Sequence, residues 1–188
     1  DGPPRPSNFR VARGRAEQAH GQDPSGSFRT AIADFGDALR RNPGLTETWL
    51  IRGDAYLALG GLAEDRGEDP SESYEAAIAD YGEALRLDPE LVGAYNSRGT
   101  ASLRLGTREK ALGQDAGPRF RMAIADWNAT LQRDPRYWEA LANKGLCHEA
   151  TGEPTKAVEC YERALAIVGD EYPPLREWLA RAKAARDR

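Results

Sequence analysis

Reactive and metal-binding side chains are scarce in this chain of 188 residues, which has two histidines, two cysteines and one methionine. His20 and His148 are far apart in the sequence, and neither has a serine or cysteine at a spacing that suits a catalytic pair. Cys147, His148 and Cys160 do not make a zinc site, because adjacent helical residues diverge by about 100° and no second ligand cluster exists. These absences predict a protein that is not an enzyme and that has no metal or cofactor.

Long apolar runs, a signal peptide and basic runs are also missing. An apolar stretch of about 18 residues would be needed to cross a membrane, so no membrane insertion is expected. The formal net charge is −4, which argues against nucleic acid and anionic membrane surfaces as partners. We expect Cys147 and Cys160 to be free thiols, which favours a reducing compartment such as the cytoplasm. The chain opens without methionine, as a processed chain or a piece of a longer protein would.

What the chain does contain is a repeated segment. YEAAIADYGEALRLDP at 74–89 recurs as FRTAIADFGDALRRNP at 28–43 and FRMAIADWNATLQRDP at 120–135, with offsets of 46 residues, and more loosely at 154–169. Apolar and small residues recur three and four positions apart, which predicts one face of an amphipathic helix. The Asn-Pro or Asp-Pro of three copies ends that helix, because the residue before proline disfavours helical backbone.

A second segment type precedes each copy and carries an Arg-Gly or Lys-Gly pair, at 8–21, 47–60, 93–106 and 139–152. Its first glycine, at 14, 53, 99 or 145, lies inside a predicted helix, where glycine costs about 1 kcal/mol and close helix packing is the usual compensation. Its second glycine, at 21, 60, 106 or 152, is predicted to end that helix. Two helices in each unit make a helical-hairpin repeat.

This pattern resembles the tetratricopeptide repeat in the spacing of Trp49, Gly53, Tyr56 and Gly60, followed by Ala77, Tyr81, Ala84 and Pro89. The resemblance implies an all-α fold, a right-handed superhelix of four hairpins at 8–43, 46–89, 91–135 and 137–169. Residues 170–188 would form a closing helix, and the Pro-rich residues 1–7 a disordered lead-in. The predicted helices are 8–21, 24–41, 46–60, 70–87, 91–106, 118–133, 137–152, 154–168 and 173–186.

The second and third units depart from the family by twelve extra residues between their helices, at 62–73 and 107–120, and the first by a shorter segment at 21–27. Asp69-Pro70-Ser71-Glu72 is typical of a helix start, so the second helix is expected to be lengthened at its N-terminus. These segments are either insertions that the hairpin tolerates or loops that flank a binding surface.

Charged residues also recur with the repeat. Asp34, Asp80 and Asp126 share one place in the second helices, and Arg52, Arg98 and Lys144 follow them by 18 residues. We expect a ladder of ion pairs between adjacent units, Asp34–Arg52, Asp80–Arg98 and Asp126–Lys144, which would fix their register. The alternative is that these side chains are solvated separately.

The family resemblance implies a protein–protein interaction module that receives a peptide or partner segment on the inner face formed by the first helices. The runner-up is a structural or self-assembling spacer, in which homo-oligomers would form, within a larger bacterial signalling or scaffold protein. One subgroup of the family holds acidic chaperone C-termini with a clamp, but its three basic places read Val11, Gly93 and Ser97 here, or Leu50, Glu139 and Asn143 in the next register. The predicted inner face favours an apolar or amphipathic segment, and its candidate binding residues are Leu50, Ile51, Asp54, Leu57, Asn96, Thr100, Leu103, Asn143 and Leu146. The alternative is that some of these leucines pack between units.

Overall fold

The structure, a computed structural model, describes residues 7–21, 23–169 and 171–188. In these residues it has nine helices and no strand, which confirms the predicted all-α fold of helical hairpins. The helices are α1 (Ser7–Ala19), α2 (Ser25–Arg41), α3 (Thr46–Asp65), α4 (Ser71–Leu87), α5 (Val92–Ala111), α6 (Gly117–Arg133), α7 (Trp138–Ala150), α8 (Pro154–Val168) and α9 (Pro174–Arg186). Residues 1–6 of the predicted lead-in lie outside the described residues, and Ser7 begins α1.

Two compact units make up the chain, the first ending at Ala94 and the second beginning at Tyr95. In the first unit α1 packs on α2, α2 on α3 and α3 on α4. In the second unit α6 packs on α7, α7 on α8 and α8 on α9. Within each unit, these helices pack on the ones next to them in the sequence, as expected for hairpin repeats.

The mid-helix glycines allow an aromatic ring of the second helix to lie against the backbone of the first. A Cβ added at Gly53 would lie 2.9 Å from Cε1 of Tyr81, and one at Gly145 would lie 2.4 Å from Cε1 of Tyr161. Gly99 has the same relation to Trp127. The rings of all three aromatic residues are fully buried. The prediction of close packing at these glycines is therefore confirmed.

The second glycine of the motif does not end the helix in hairpins two and three, contrary to the prediction. Gly60 lies inside α3 and Gly106 inside α5. A Cβ at Gly60 would lie 2.3 Å from Cε1 of Tyr74, so this glycine provides space for a second buried ring. The sequence pattern was ambiguous because glycine serves both close packing and helix termination.

The helices end instead just before glycines with positive φ that lie within the inserted segments. Gly67 has φ 69° and Gly113 has φ 72°, values that suit glycine at a helix C-terminus. Gly21 and Gly152 have φ 69° and 75°, so the predicted stop is right in hairpins one and four. The first helices of hairpins two and three therefore run five residues beyond their predicted ends.

The inserted segments are helical for most of their length. After Gly67 the chain needs only a short turn before α4, where the Asp69 carboxylate accepts the Ser71 N–H (3.1 Å) and hydroxyl (2.7 Å). Asp115 accepts the Gly117 N–H in the same way (3.0 Å). The N-terminal start of α4 thus lies one residue after its predicted position.

A basic side chain near the end of each lengthened first helix contacts a neighbouring hairpin. Nη2 of Arg66 lies 2.5 Å from Oδ1 of Asp23, whose carboxylate also accepts the Ser25 N–H at the start of α2. Lys110, near the end of α5, donates to the carbonyl oxygen of Ala150, the last residue of α7. The insertions thus add contacts within each unit at helix termini, where backbone groups lack helical partners.

Helix α9 covers the last hairpin, as predicted for a closing helix. Leu175 and Ala182 are fully buried in a cluster with Tyr161 of α8. The ring of Trp178 lies 6.0 Å from that of Tyr161 and 5.9 Å from that of Tyr172. An exposed apolar face on α8 is thereby removed from water, which is the physical need that a terminal helix of a repeat array meets.

Candidate functional site

All nine predicted groove residues are half-buried in the structure, and they divide among three first helices. Helix α3 has four of them, α5 three and α7 two. Their surroundings differ, so they are described unit by unit.

Leu50, Asp54 and Leu57 form a stripe along α3 of the first unit, because residues four and seven positions apart share a helix face. Tyr81 donates its hydroxyl to Oδ1 of Asp54 (2.9 Å), and Arg15 donates Nη2 to Oδ2 of Asp54 (3.1 Å). The Asp54 carboxylate is therefore fixed in the middle of the stripe, between two aliphatic side chains. We call Leu50, Asp54 and Leu57 the α3 stripe.

Three predicted groove residues are used by the packing of the units themselves. Ile51 packs against the buried cluster of the first unit. Leu103 packs against the cluster that contains Trp127, and Leu146 against the cluster that contains Tyr161. A polar substitution at these positions would disturb the core as well as any partner contact.

The polar candidates of the second unit make hydrogen bonds inside it. Trp127 donates its indole N–H to Oδ1 of Asn96 (3.2 Å), and Thr100 donates its hydroxyl to the Asn96 carbonyl oxygen (3.0 Å). Asn96 thus satisfies the polar atom of a buried aromatic residue, as Asp54 does for Tyr81. Asn143 is half-buried on α7.

The recurring charges pair within hairpins, which differs from the predicted ladder. Arg52 donates Nε and Nη2 to the two carboxylate oxygens of Asp80, each at 2.7 Å. Arg98 makes the same two bonds to Asp126, at 2.9 and 2.6 Å. Nε and Nη2 of each arginine are therefore held by the aspartate of its own hairpin, whereas the predicted pairs join adjacent hairpins.

Lys144, the third basic residue of the series, also departs from the ladder. Its Nζ lies 2.7 Å from Oδ1 of Asn128, whereas Asp126 is held by Arg98. Sequence spacing could not distinguish the two arrangements. The predicted aspartate lies 18 residues before each basic residue and the observed one lies 28 residues after it, so both recur with the same 46-residue period. The observed arrangement is favoured because facing helices of a hairpin bring these positions into contact.

The hairpin ion pairs are buried, so they are structural and not surface charges. The side chains of Asp80 and Asp126 are each only 4% exposed. Burial raises the pKa of both carboxyls, an effect that the hydrogen bonds from Arg52 and Arg98 oppose. The guanidinium of Arg52 also lies 4.8 Å from the ring centroid of Trp49. Such an arrangement holds two helices at a fixed register but offers little to a partner.

Both cysteines are free and buried, at Cys147 in α7 and Cys160 in α8. Burial raises the pKa of the Cys147 thiol to about 12, which disfavours a reactive thiolate.

Nδ1 of His148 lies 2.8 Å from Oε2 of Glu153 at the turn before α8. Across the described part of the chain, no group of three or more His, Cys, Asp or Glu residues is arranged to hold a metal ion. Within the same residues, no helix is long and apolar enough to span a bilayer.

Comparison with family models places repeats along much of the chain. Models described as "Tetratricopeptide repeat" match residues 11–69 and 138–168, and one described as "TPR repeat" matches residues 71–106. No curated protein matches the sequence.

Solved structures with the same fold share little sequence with this chain. The crystal structure of MamA is 20% identical, with 96% of this chain and 82% of MamA covered and a TM-score of 0.71. TTC0263, a thermophilic TPR protein of Thermus thermophilus, is 22% identical, with 96% and 83% covered and a TM-score of 0.62. The first TPR of Spaghetti (RPAP3), bound to the HSP90 peptide SRMEEVD, is 19% identical, with 74% and 96% covered and a TM-score of 0.55.

Proposed function

The chain belongs to the tetratricopeptide repeat family, whose fold is a protein–protein interaction module, and we propose that it binds an apolar or amphipathic segment of a partner protein on the first helices of its hairpins. The observation that carries the proposal is the α3 stripe, in which Leu50 and Leu57 are only half-buried on either side of Asp54. Aliphatic side chains that remain accessible on one helix face are typical of a docking surface.

The stripe offers two kinds of contact to a partner. Leu50 and Leu57 are two helical turns apart, a spacing that matches two apolar side chains on one face of a partner helix. Asp54 between them is already oriented by Tyr81 and Arg15, so it can accept a hydrogen bond without further ordering. In the second unit, Asn96, Thr100 and Asn143 are polar groups at first-helix positions that could contact the same kind of segment.

An acidic C-terminal tail is a less suitable ligand for this chain. The RPAP3 structure contains such a peptide, but that property belongs to that protein. Here the places that would supply basic side chains hold Leu50, Glu139 and Asn143 in one register. A leucine and a glutamate at these places lack the positive charge that a carboxylate requires.

Selection from a random peptide library displayed on phage tests the proposal. We expect selected peptides to share two apolar residues at helical spacing and to lose binding to the Leu57→Asp and Leu50→Asp variants. Met122→Asp is the matched control, because Met122 is a 40% exposed apolar residue on a second helix. Peptides that bind all three variants as well as the parent protein would contradict the proposal, provided that circular dichroism shows the helices intact.

Leu103→Asp is unsuitable for this test, although Leu103 is one of the binding residues predicted from the sequence. Leu103 packs against the buried cluster of the second unit, so a carboxylate there would be placed against apolar side chains. Loss of binding could then result from unfolding. Leu50 and Leu57 lie outside the three buried clusters found among the described residues, so they suit the test better.

A further inference from the structure

A cavity of about 360 Å³ lies in the first unit, where the start of α2, the C-terminal half of α3 and the start of α4 meet. Seven of the twelve residues that line it belong to the inserted segment 62–73. Most of the cavity's lining therefore comes from the residues that lengthen this hairpin. We call it the insertion pocket.

The insertion pocket is lined by both apolar and charged residues. Leu59, Leu62 and Ala63 follow each other along one face of α3, and the ring of Tyr56 continues that wall. The lining also includes the acidic residues Glu68, Asp69 and Glu72 and the basic residues Arg29 and Arg66. A long side chain with an apolar stem and a polar end would match this division.

The charges in and around the pocket leave an excess of negative charge. Arg66 is paired with the Asp23 carboxylate, at 2.5 Å, and is thereby neutralised. Asp69 accepts hydrogen bonds from Ser71 at the helix start. The exposed carboxylates of Glu68 and Glu72 share the pocket lining with one further arginine, Arg29. Counting Asp23, four carboxylates stand against two guanidinium groups, so the pocket favours a positively charged ligand.

Tyr56 adds an aromatic surface to the same wall. Its ring already attracts one cation, since the guanidinium carbon of Arg52 lies 5.9 Å from the ring centroid. Burial raises the pKa of the Tyr56 hydroxyl, an effect to which the nearby Glu72 carboxylate contributes. Tyr56 and Glu72 both line the insertion pocket, so a cationic group bound there can meet an aromatic ring and a carboxylate.

We propose that the insertion pocket binds a lysine or arginine side chain of a partner segment. The aliphatic stem lies along Leu59, Leu62 and Ala63, and the cationic head lies between Glu68 and Glu72 against the Tyr56 ring. The proposal does not depend on the α3 stripe, since the lining residues of the pocket exclude Leu50, Asp54 and Leu57.

The third hairpin has the same insertion length but lacks the chemistry of the pocket. The positions 46 residues after Tyr56, Glu68 and Glu72 hold Ser102, Gln114 and Pro118. A hairpin of this length can therefore form without the aromatic ring and the two glutamates. These three residues are the ones that we assign to cation binding.

Titration of the ¹⁵N-labelled 188-residue chain, followed by NMR, tests the assignment with Nα-acetyl-arginine N-methylamide as the probe. We expect saturable shifts of amides in 56–76, and at least tenfold weaker binding of the citrulline analogue, which has the same shape without the charge. Equal binding of the two probes, or no shifts with either, would overturn the proposal. Tighter binding of the Nα-acetyl-glutamate analogue would also overturn it and would assign the pocket to an acidic group through Arg29.

Substitutions of the pocket glutamates test whether the arginine probe binds in the insertion pocket. Replacement of both glutamates, Glu68→Gln with Glu72→Gln, should weaken binding of the arginine probe at least tenfold. Glu159→Gln is the matched control, because Glu159 is an exposed glutamate on α8 of the second unit, and it should leave the binding unchanged. An unaltered affinity in the double variant would contradict the assignment. Leu57→Asp should also have no effect on this titration, so failure of the stripe and failure of the pocket are distinguishable.

Discussion

The glycines of the repeat motif decide how closely the two helices of a hairpin approach. Gly60 lies inside α3, and its backbone faces the fully buried ring of Tyr74. Its neighbour Gly61 is in the same helix, but a Cβ there would meet no atom within 4 Å. Alanine substitutions at these two adjacent glycines therefore distinguish two effects on stability. One is the cost of overpacking a core, and the other is the preference of helices for alanine over glycine.

We predict opposite effects of alanine at these two positions. Gly60→Ala places a Cβ 2.3 Å from Cε1 of Tyr74 and should reduce the free energy of unfolding by about 1–3 kcal/mol, as overpacked cores do. Gly61→Ala should increase it by up to about 1 kcal/mol, because alanine is the better helix former. Urea unfolding followed by circular dichroism measures both. Equal effects of the two substitutions would show that Tyr74 does not restrict this position.

The two thiols should react only after unfolding. Cys147 is fully buried with a pKa raised to about 12, and burial also raises the pKa of Cys160. Since the thiolate is the reactive form, we expect Ellman's reagent at about pH 8 to label the native chain at least tenfold more slowly than the denatured chain. Without reductant, the denatured chain should give two thiols. Zero thiols would contradict the expectation of free cysteines.

At the scale of the helix, the sequence predicts element type and most starts well because the periodicity and the Asp-Pro and Asn-Pro stops act locally. The ends of α3 and α5 could not be predicted, since Gly60 and Gly106 resemble stops and are in fact packing residues. A periodic sequence does not specify whether Asp34 of α2 or Asp80 of α4 holds Nε and Nη2 of Arg52, because α3 packs on both helices. The insertion pocket depends on three helices meeting and has no local signal.

The closing helix α9 is joined to α7 by an ion pair that depends on pH. Glu149 accepts Nε and Nη2 of Arg181, at 2.9 and 2.6 Å, and the hydroxyl of Tyr161, at 2.7 Å. Burial opposes ionisation, but the hydrogen bonds from Arg181 and Tyr161 hold the pKa of Glu149 below its usual value of 4.5. A carboxyl with a lowered pKa in the folded state contributes stability above the unfolded pKa and loses it as the pH falls.

We therefore predict that Glu149→Gln destabilises the protein at neutral pH and has a smaller effect in acid. The difference in urea midpoint between parent and variant should shrink from about pH 6 to about pH 3, since the parent loses the same charge on protonation. Glu177→Gln is the control, because Glu177 is an exposed glutamate in the first turn of α9. A midpoint difference for Glu149→Gln that stays constant with pH would contradict the assigned role of the charge.

At the scale of the whole molecule, few large apolar side chains are exposed among the described residues. Among the described residues, the large exposed hydrophobic side chains are Leu45, Leu112 and Met122, which precede α3, follow α5 and lie in α6. Isolated surface residues of this kind are ordinary for a monomeric protein. We expect multi-angle light scattering to give the monomer mass of 20.6 kDa at every concentration. A defined oligomer would instead favour the spacer function that the sequence left open.

The central claim, that a partner segment docks on the α3 stripe, is tested most directly by fluorescence polarisation with one library-selected peptide. We predict that Leu57→Asp raises Kd at least thirtyfold, the effect of losing an interface residue worth about 2 kcal/mol, whereas Met122→Asp stays within threefold of the parent. If a folded Leu57→Asp variant binds the peptide within threefold of the parent, the α3 stripe is not the docking surface.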